Sequence, residues 1–150
     1  MVHFKFRLAT LLRLREAARD QRRVELAEAY RVDEVLRQRL ELVRDELDRL
    51  RELCRRAAAP GHLDVARLVE SQRYELTLKS QQRELQRQLE AVGAEIQRRR
   101  LALVEASREV RVLENLREKQ AVRHRQEENR QEIKRLDEVS QRRVAREVAL

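Results

Sequence analysis

The stretch "AAAPGHLD", residues 57–64, decides how this chain folds. Pro60 lacks an N–H and disfavours a helical conformation at Ala59. Gly61 can take the left-handed conformation that ends a helix. Asp64 is placed to cap a following helix, with Leu63 and Leu68 spaced as a hydrophobic staple across that cap. One helix is therefore expected to end near 58, a turn to cover 59–63, and a second helix to start near 64. The whole chain of 150 residues contains one proline and two glycines, so no other break of this strength exists.

Upstream of the turn, Leu36, Leu40, Val43, Leu47, Leu50, Cys54 and Ala57 are spaced alternately by four and three. That is the a/d stripe of a left-handed coiled coil. Cys54 on this stripe reads as a small packed hydrophobe. Nearer the N-terminus, Leu8, Leu11, Leu12, Leu14, Ala18, Leu26, Ala29 and Val32 leave that track, which predicts a stutter between about 18 and 32. Downstream, Val65, Leu68, Val69 and Leu76 open the second helix. Leu85, Leu89, Val92, Ile96, Arg99, Leu103, Ala106, Val110 and Leu113 then repeat the four-three spacing. Beyond Leu116 the stripe thins to Val122, Ile133, Leu136, Val139, Val144 and Val148.

Helices of about 5–58 and 64–148 would run about 75 Å and about 130 Å. A short connection makes them antiparallel neighbours. Folding about Pro60–Gly61 sets residue i opposite residue 121 − i, so residues 1–25 pair with about 96–120. Residues 117–150 then overhang. The expected fold is all-α, a long antiparallel two-helix coiled-coil hairpin with an overhanging C-terminal helix, in one domain. Gly93 would fall opposite Ala27–Ala29, where small residues let helices approach closely.

Charged residues make up 41% of the chain and aromatics 3%. The net charge is +8, shared evenly: residues 1–60 hold 15 basic and 11 acidic side chains, the rest 20 and 16. Interleaved signs mark a solvated, ion-paired helix surface rather than a nucleic-acid footprint. No apolar run reaches the roughly 20 residues of a membrane span. One cysteine and no secretory signal point to the cytoplasm. A hairpin has no cleft walled on several sides. The sequence also lacks a phosphate loop, HExxH, GxSxG or zinc spacing. No enzyme activity, cofactor, metal or small-molecule substrate is expected. His3, His62 and His124 are scattered, and His124 with Glu127 and Glu128 reads as a solvated face. Tyr30 and Tyr74 are either partner anchors or packing residues. Apolar residues beyond what a hairpin buries imply a partner.

The opening "FKFRLATLLRLREAARDQ" (4–21), with "EVRVLENLREKQ" (109–120) and "RLDEVSQRR" (135–143), resembles the bacterial flagellar export protein FliJ over nearly the whole chain. The resemblance implies a stalk-like, non-catalytic part of the flagellar type III export apparatus, serving flagellum biogenesis and motility. Its terminal helices would enter the pore of the hexameric export ATPase. It would also contact the cytoplasmic domain of the export gate and handle export chaperones, at the inner face of the bacterial cell membrane. Carried onto this sequence, the ATPase-binding candidates are Arg13, Arg15, Glu16, Arg117, Lys119, Lys134, Arg135, Asp137 and Glu138. Tyr74 and Leu78 are the export-gate candidates. Alternatives are a generic coiled-coil scaffold, an injectisome stalk homologue and, more weakly, a basic helix on nucleic acid or membrane.

Overall fold

The computed structural model describes residues 4–61 and 63–148, with side chains to 146. His3, His62, the side chain of Val148 and the end of the expected overhang lie outside the described residues. The fold is all-α, a two-helix hairpin. Helix α1 spans Ala9–Ala57 and α2 spans Val65–Val148.

The turn forms as its residues dictate. The last turn of α1 tightens, with the Ala59 N–H donating to the Arg56 carbonyl at 3.3 Å. Gly61 sits at φ 101°, in the left-handed region. A side chain there would be strained. Asp64 caps α2: its Oδ1 accepts from the Arg67 N–H at 3.2 Å, satisfying one of the free donors of the first turn. The apolar half of the cap is not buried, because Leu63 is 69% exposed.

The chain divides into two units, one of residues 21–103 and one pairing residues up to 20 with residues from 104 onward. In the first unit, Ala29, Leu36, Leu40, Leu47 and Leu50 of α1 are buried, as are Leu78 and Ile96 of α2. Leu47, Leu50 and Leu78 form one cluster, with Val43 packed against it. In the second unit, only Leu12 and Val110 are buried among the described residues. Hydrophobic burial is thus concentrated in the first unit, and most helix stability comes from such packing.

The heptad of α1 is interrupted in the region of the expected stutter. Buried and half-buried positions alternate by three and four from 26 through 29, 33, 36, 40, 43, 47, 50 and 54 to 57, whereas 12, 16 and 19 are spaced four then three and neither 22 nor 23 is covered. Glu16, Arg19 and Asp33 occupy seam positions, while Leu11, Leu14, Val24 and Val32 lie off the seam and exposed. Counting apolar residues therefore located the break without identifying which side chains line the seam beside it. On α2 the half-buried and buried positions keep a matching rhythm from Leu68 through Leu78, Leu85, Ile96 and Leu103 to Val110 and Leu113. A strict heptad, kept along α2 from Leu68 to Leu113 and along α1 from Leu26 to Ala57, is the geometry of left-handed supercoiling.

The register also differs from the symmetric fold about Pro60–Gly61. Arg15 pairs with Glu109, and Arg99 reaches Glu25. Both contacts join an α1 residue to one three positions later in α2 than expected, nearly one turn, and Tyr30 reaches Arg100, nine positions later than expected. The Phe4 ring lies 5.7 Å from that of His124. Pairing therefore continues past the expected start of the overhang at 117. Every residue from 129 to 146 is exposed.

Gly93 has no packing role. A Cβ built on it meets nothing within 4 Å, so it does not mark the close helix approach that its place opposite the alanines suggested. Its backbone is ordinary helix. Gly93→Ala should therefore raise stability by about 1 kcal/mol, the helix-propensity difference. A higher midpoint in thermal melting followed by circular dichroism is the expected result; a lower one would mean that a contact requires the missing side chain.

Candidate partner-binding surfaces

Within the unit that carries both termini, Arg13, Glu16 and Arg117 converge. They border a shallow depression of about 360 Å³ with Phe4, Phe6, Ala9 and Leu12. Phe4 and Phe6 precede α1, and the half-buried Phe4 is held there by the tilted contact with His124. On its other side, His124 Nδ1 lies 3.6 Å from Glu128 Oε2. Arg15 donates to Glu109 at 2.8 Å, tying α1 to α2 across an exposed edge. An exposed pair of this kind stabilises by less than about 1 kcal/mol, so it marks register more than it adds strength.

The other ATPase-binding candidates do not join that cluster. Lys119 is exposed on α2. Lys134, Arg135, Asp137 and Glu138 lie about 25 Å or more further along the helix than Arg117. They form no ion pair with another described residue; the Asp137 carbonyl accepts from the Ser140 hydroxyl at 2.9 Å. Residues 129–146 carry six basic and three acidic side chains, a net of +3, all in contact with solvent.

In the turn-bearing unit the two export-gate candidates separate. Tyr74 is 44% exposed, whereas Leu78 is 3% exposed inside the Leu47–Leu50 cluster. Leu78 is a core residue, and its side chain is not offered to a partner. Leucine at that spacing was ambiguous in sequence, because core and contact positions share the same residue type. Tyr30 is engaged within the hairpin. Its hydroxyl accepts from Arg100 Nε at 2.7 Å, with the guanidinium carbon 5.5 Å from the ring centroid.

The same unit contains a polar layer in the seam. Half-buried Arg99 donates from Nε to Glu95 at 2.8 Å and from its guanidinium to the Glu25 carbonyl on α1. The Arg99 hydrogen bond holds the Glu95 carboxyl below its ordinary value, with Arg98 adding to the effect. Arg22 does the same to Glu25, and Lys79 to Glu75.

This architecture, with an all-helical hairpin and termini at one unit, coincides with a match along the sequence. The family described as flagellar FliJ protein matches residues 4–149. The chain belongs to the flagellar FliJ protein family. Nearly its whole length is covered, including both helices and the turn. Membership makes it a component of the flagellar export apparatus. Among curated proteins and solved structures, none matches it significantly. No helix among the described residues is long and apolar enough to cross a membrane.

Sequence reasoning missed one surface. Val112, Leu116 and Val122 are exposed on α2 although α1 covers the opposite side of the same segment. The heptad search passed over Val112 and took Leu116 and Val122 as the thinning end of the seam, from which they stand off, exposed.

Proposed function

We propose that the protein is a non-catalytic stalk of the flagellar export apparatus. The unit carrying both termini docks into the pore of the hexameric export ATPase. The turn-bearing unit faces the cytoplasmic domain of the export gate, with the exposed Tyr74 as its candidate anchor. Export chaperones are further partners, and the complex works peripherally at the inner face of the bacterial membrane.

The observation that carries this reading is the segment 129–146, a continuation of α2 whose every residue is exposed and whose net charge is +3. A helix without a covered apolar face draws little stability from its own chain. It gains from a partner that surrounds it. Basic side chains there favour encounter with acidic pore loops and set register. Arg13, Glu16 and Arg117 lie beside the terminal aromatics, where contacts with the rim of a ring would form.

Mixing the purified protein with the export ATPase should give a complex and a raised ATPase rate. Truncation after Glu128 should lower that stimulation at least about tenfold, if the exposed turns supply a few kcal/mol of binding. The hairpin's cooperative melt should persist, because residues 129–146 add nothing to its buried core. Absence of both complex and stimulation with the full chain would overturn the proposal.

A further inference from the structure

Helix α1 carries an apolar stripe off the seam, within the turn-bearing unit. Val24, Val35, Leu42 and Leu53 are between 45% and 66% exposed. They are spaced by eleven, seven and eleven, so at about 100° per residue they stand within about 20° of one another. Val32, the other large exposed aliphatic between residues 21 and 57, stands about 60–80° to one side.

Charged residues fill the gaps in a repeating order. Glu28 and Arg31 lie between Val24 and Val35, and Glu46 and Arg49 lie between Leu42 and Leu53. All four charges fall within about 30° of the centre of the stripe. The order aliphatic, Glu, Arg, aliphatic thus occurs twice, each time spaced four, three and four. Glu28 and Arg31 form no ion pair with another described residue. Arg49 lies 3.4 Å from Glu46 with its side chain 71% exposed, a pair that contributes little in water and exchanges readily.

This pattern is its own complement when a second copy runs antiparallel. Setting residue i opposite residue 77 − i of the other copy brings Val24 onto Leu53, Val35 onto Leu42, Glu28 onto Arg49 and Arg31 onto Glu46. All eight side chains match at a single register, over about 44 Å of helix. A parallel, in-register pair would instead set Glu28 on Glu28 and Arg31 on Arg31. Gln38 and Arg39 fall at the two-fold point, about 50° to either side of the stripe. Arg39 lines a hollow of about 620 Å³ with Leu42, Leu85 and Glu84, whose carboxylate offsets its charge.

We infer that the face of α1 from Val24 to Leu53 joins two copies of the chain in an antiparallel, two-fold dimer. A two-fold interface uses the same patch on both copies, so self-complementarity under reversal is what it requires. A lipid surface is disfavoured, because the stripe is narrow, carries two Glu and has no aromatic anchor. The contact uses no residue placed at the ATPase or the export gate; it goes beyond that reading and does not rest on it. Two facing helices bury area at the low end for specific interfaces, so half-dissociation is expected between about 1 and 100 μM.

Sedimentation equilibrium of the full-length protein up to about 500 μM should show a reversible monomer–dimer equilibrium. Val35→Ser, Leu42→Ser should raise the dissociation constant at least about tenfold, because those side chains face one another twice in the dimer. Both are exposed in the single chain, so the thermal melt of this variant at low concentration should stay near native. If it does not, Val35→Ala, Leu42→Ala keeps helix propensity and carries the same expectation. Glu28→Arg and Arg49→Glu should each weaken self-association. An equimolar mixture of those two variants should associate at least about tenfold more tightly than either alone, because both contacts between positions 28 and 49 again join opposite charges. The comparison is unaffected by what each substitution does within its own chain. A protein that stays monomeric to about 500 μM would overturn the inference, and its binding to phosphatidylcholine–phosphatidylserine vesicles would assign the stripe to a membrane. A dimer untouched by Val35→Ser, Leu42→Ser would also overturn it, by placing the contact on another face. So would a mixture no tighter than its parts, which denies the antiparallel register.

Discussion

Leu78→Ala should destabilise the protein by about 2–4 kcal/mol, the range for truncating a buried leucine whose surroundings only partly close the gap. Leu78 is 3% exposed and packs in a cluster of buried leucines with Leu47 and Leu50. Each helix of a hairpin has only the other to pack against, so no third layer relaxes into the space. Urea unfolding followed by circular dichroism should show a lowered midpoint with an unchanged slope. Tyr74→Ala, one turn away and 44% exposed, should stay within about 0.5 kcal/mol of the native protein. The pair of variants separates two roles that their sequence spacing had merged. If Leu78→Ala leaves the midpoint in place, the cluster does not carry the hairpin. If it lowers the midpoint, any accompanying loss of export-gate binding follows from the fold.

Arg99→Leu should raise stability by about 1–2 kcal/mol. Arg99 occupies a heptad position between Ile96 and Leu103, half-buried, with its guanidinium spent on Glu95 and the Glu25 carbonyl. Leucine would extend the apolar seam and remove the desolvation of a charge. Replacing inward ionic groups by packed hydrophobes is often stabilising. The Glu25 carbonyl, already an i to i+4 acceptor in α1, loses a second donor only. Acid response gives an independent check. The carboxyls of Glu25, Glu75 and Glu95 are held below their ordinary value near 4.5 by cationic neighbours. A depressed carboxylate contributes stability that is present above its unfolded value and lost as pH falls through its folded value. The native protein should therefore weaken as pH drops below about 4.5. Arg99→Leu should weaken less steeply, because Glu95 keeps Arg98 alone. Urea midpoints at neutral pH and in acid measure both effects; a lower neutral midpoint for Arg99→Leu would show that the polar layer holds the helices together.

The fold was legible because its signals are local. Pro60 and Gly61 break a helix by covalent geometry, and Asp64 caps the next one through its own short side chain. The four-three stripe from Leu36 to Leu50 identifies a seam because aliphatic spacing and burial agree there. They disagree between 12 and 33. There Glu16, Arg19 and Asp33 lie inward while Leu14, Val24 and Val32 face solvent, so the apolar residues mark the break in the heptad but not the side chains that line the seam. Asp33 is tolerated at the seam because Arg37 lies 2.6 Å from its carboxylate. The candidate sites were legible as segments and not as side chains. Arg13, Glu16 and Arg117 border one depression, whereas Leu78 turns into the core.

By itself the sequence determined two long helices, the place of the turn and the family, since these depend on backbone propensity and on patterns within one segment. Tertiary structure alone decided which side chains of α1 lie inward between 12 and 33, the shift in register and which leucines are core. Those depend on which face of each helix the other covers, and an antiparallel pair selects that face by the summed packing of the whole seam, not by any residue in it. The same choice left the opposite side of α2 bare. Val122, Ile133 and Val144, spaced by eleven, are plain in the sequence once the seam is known, and indistinguishable from core positions before it is.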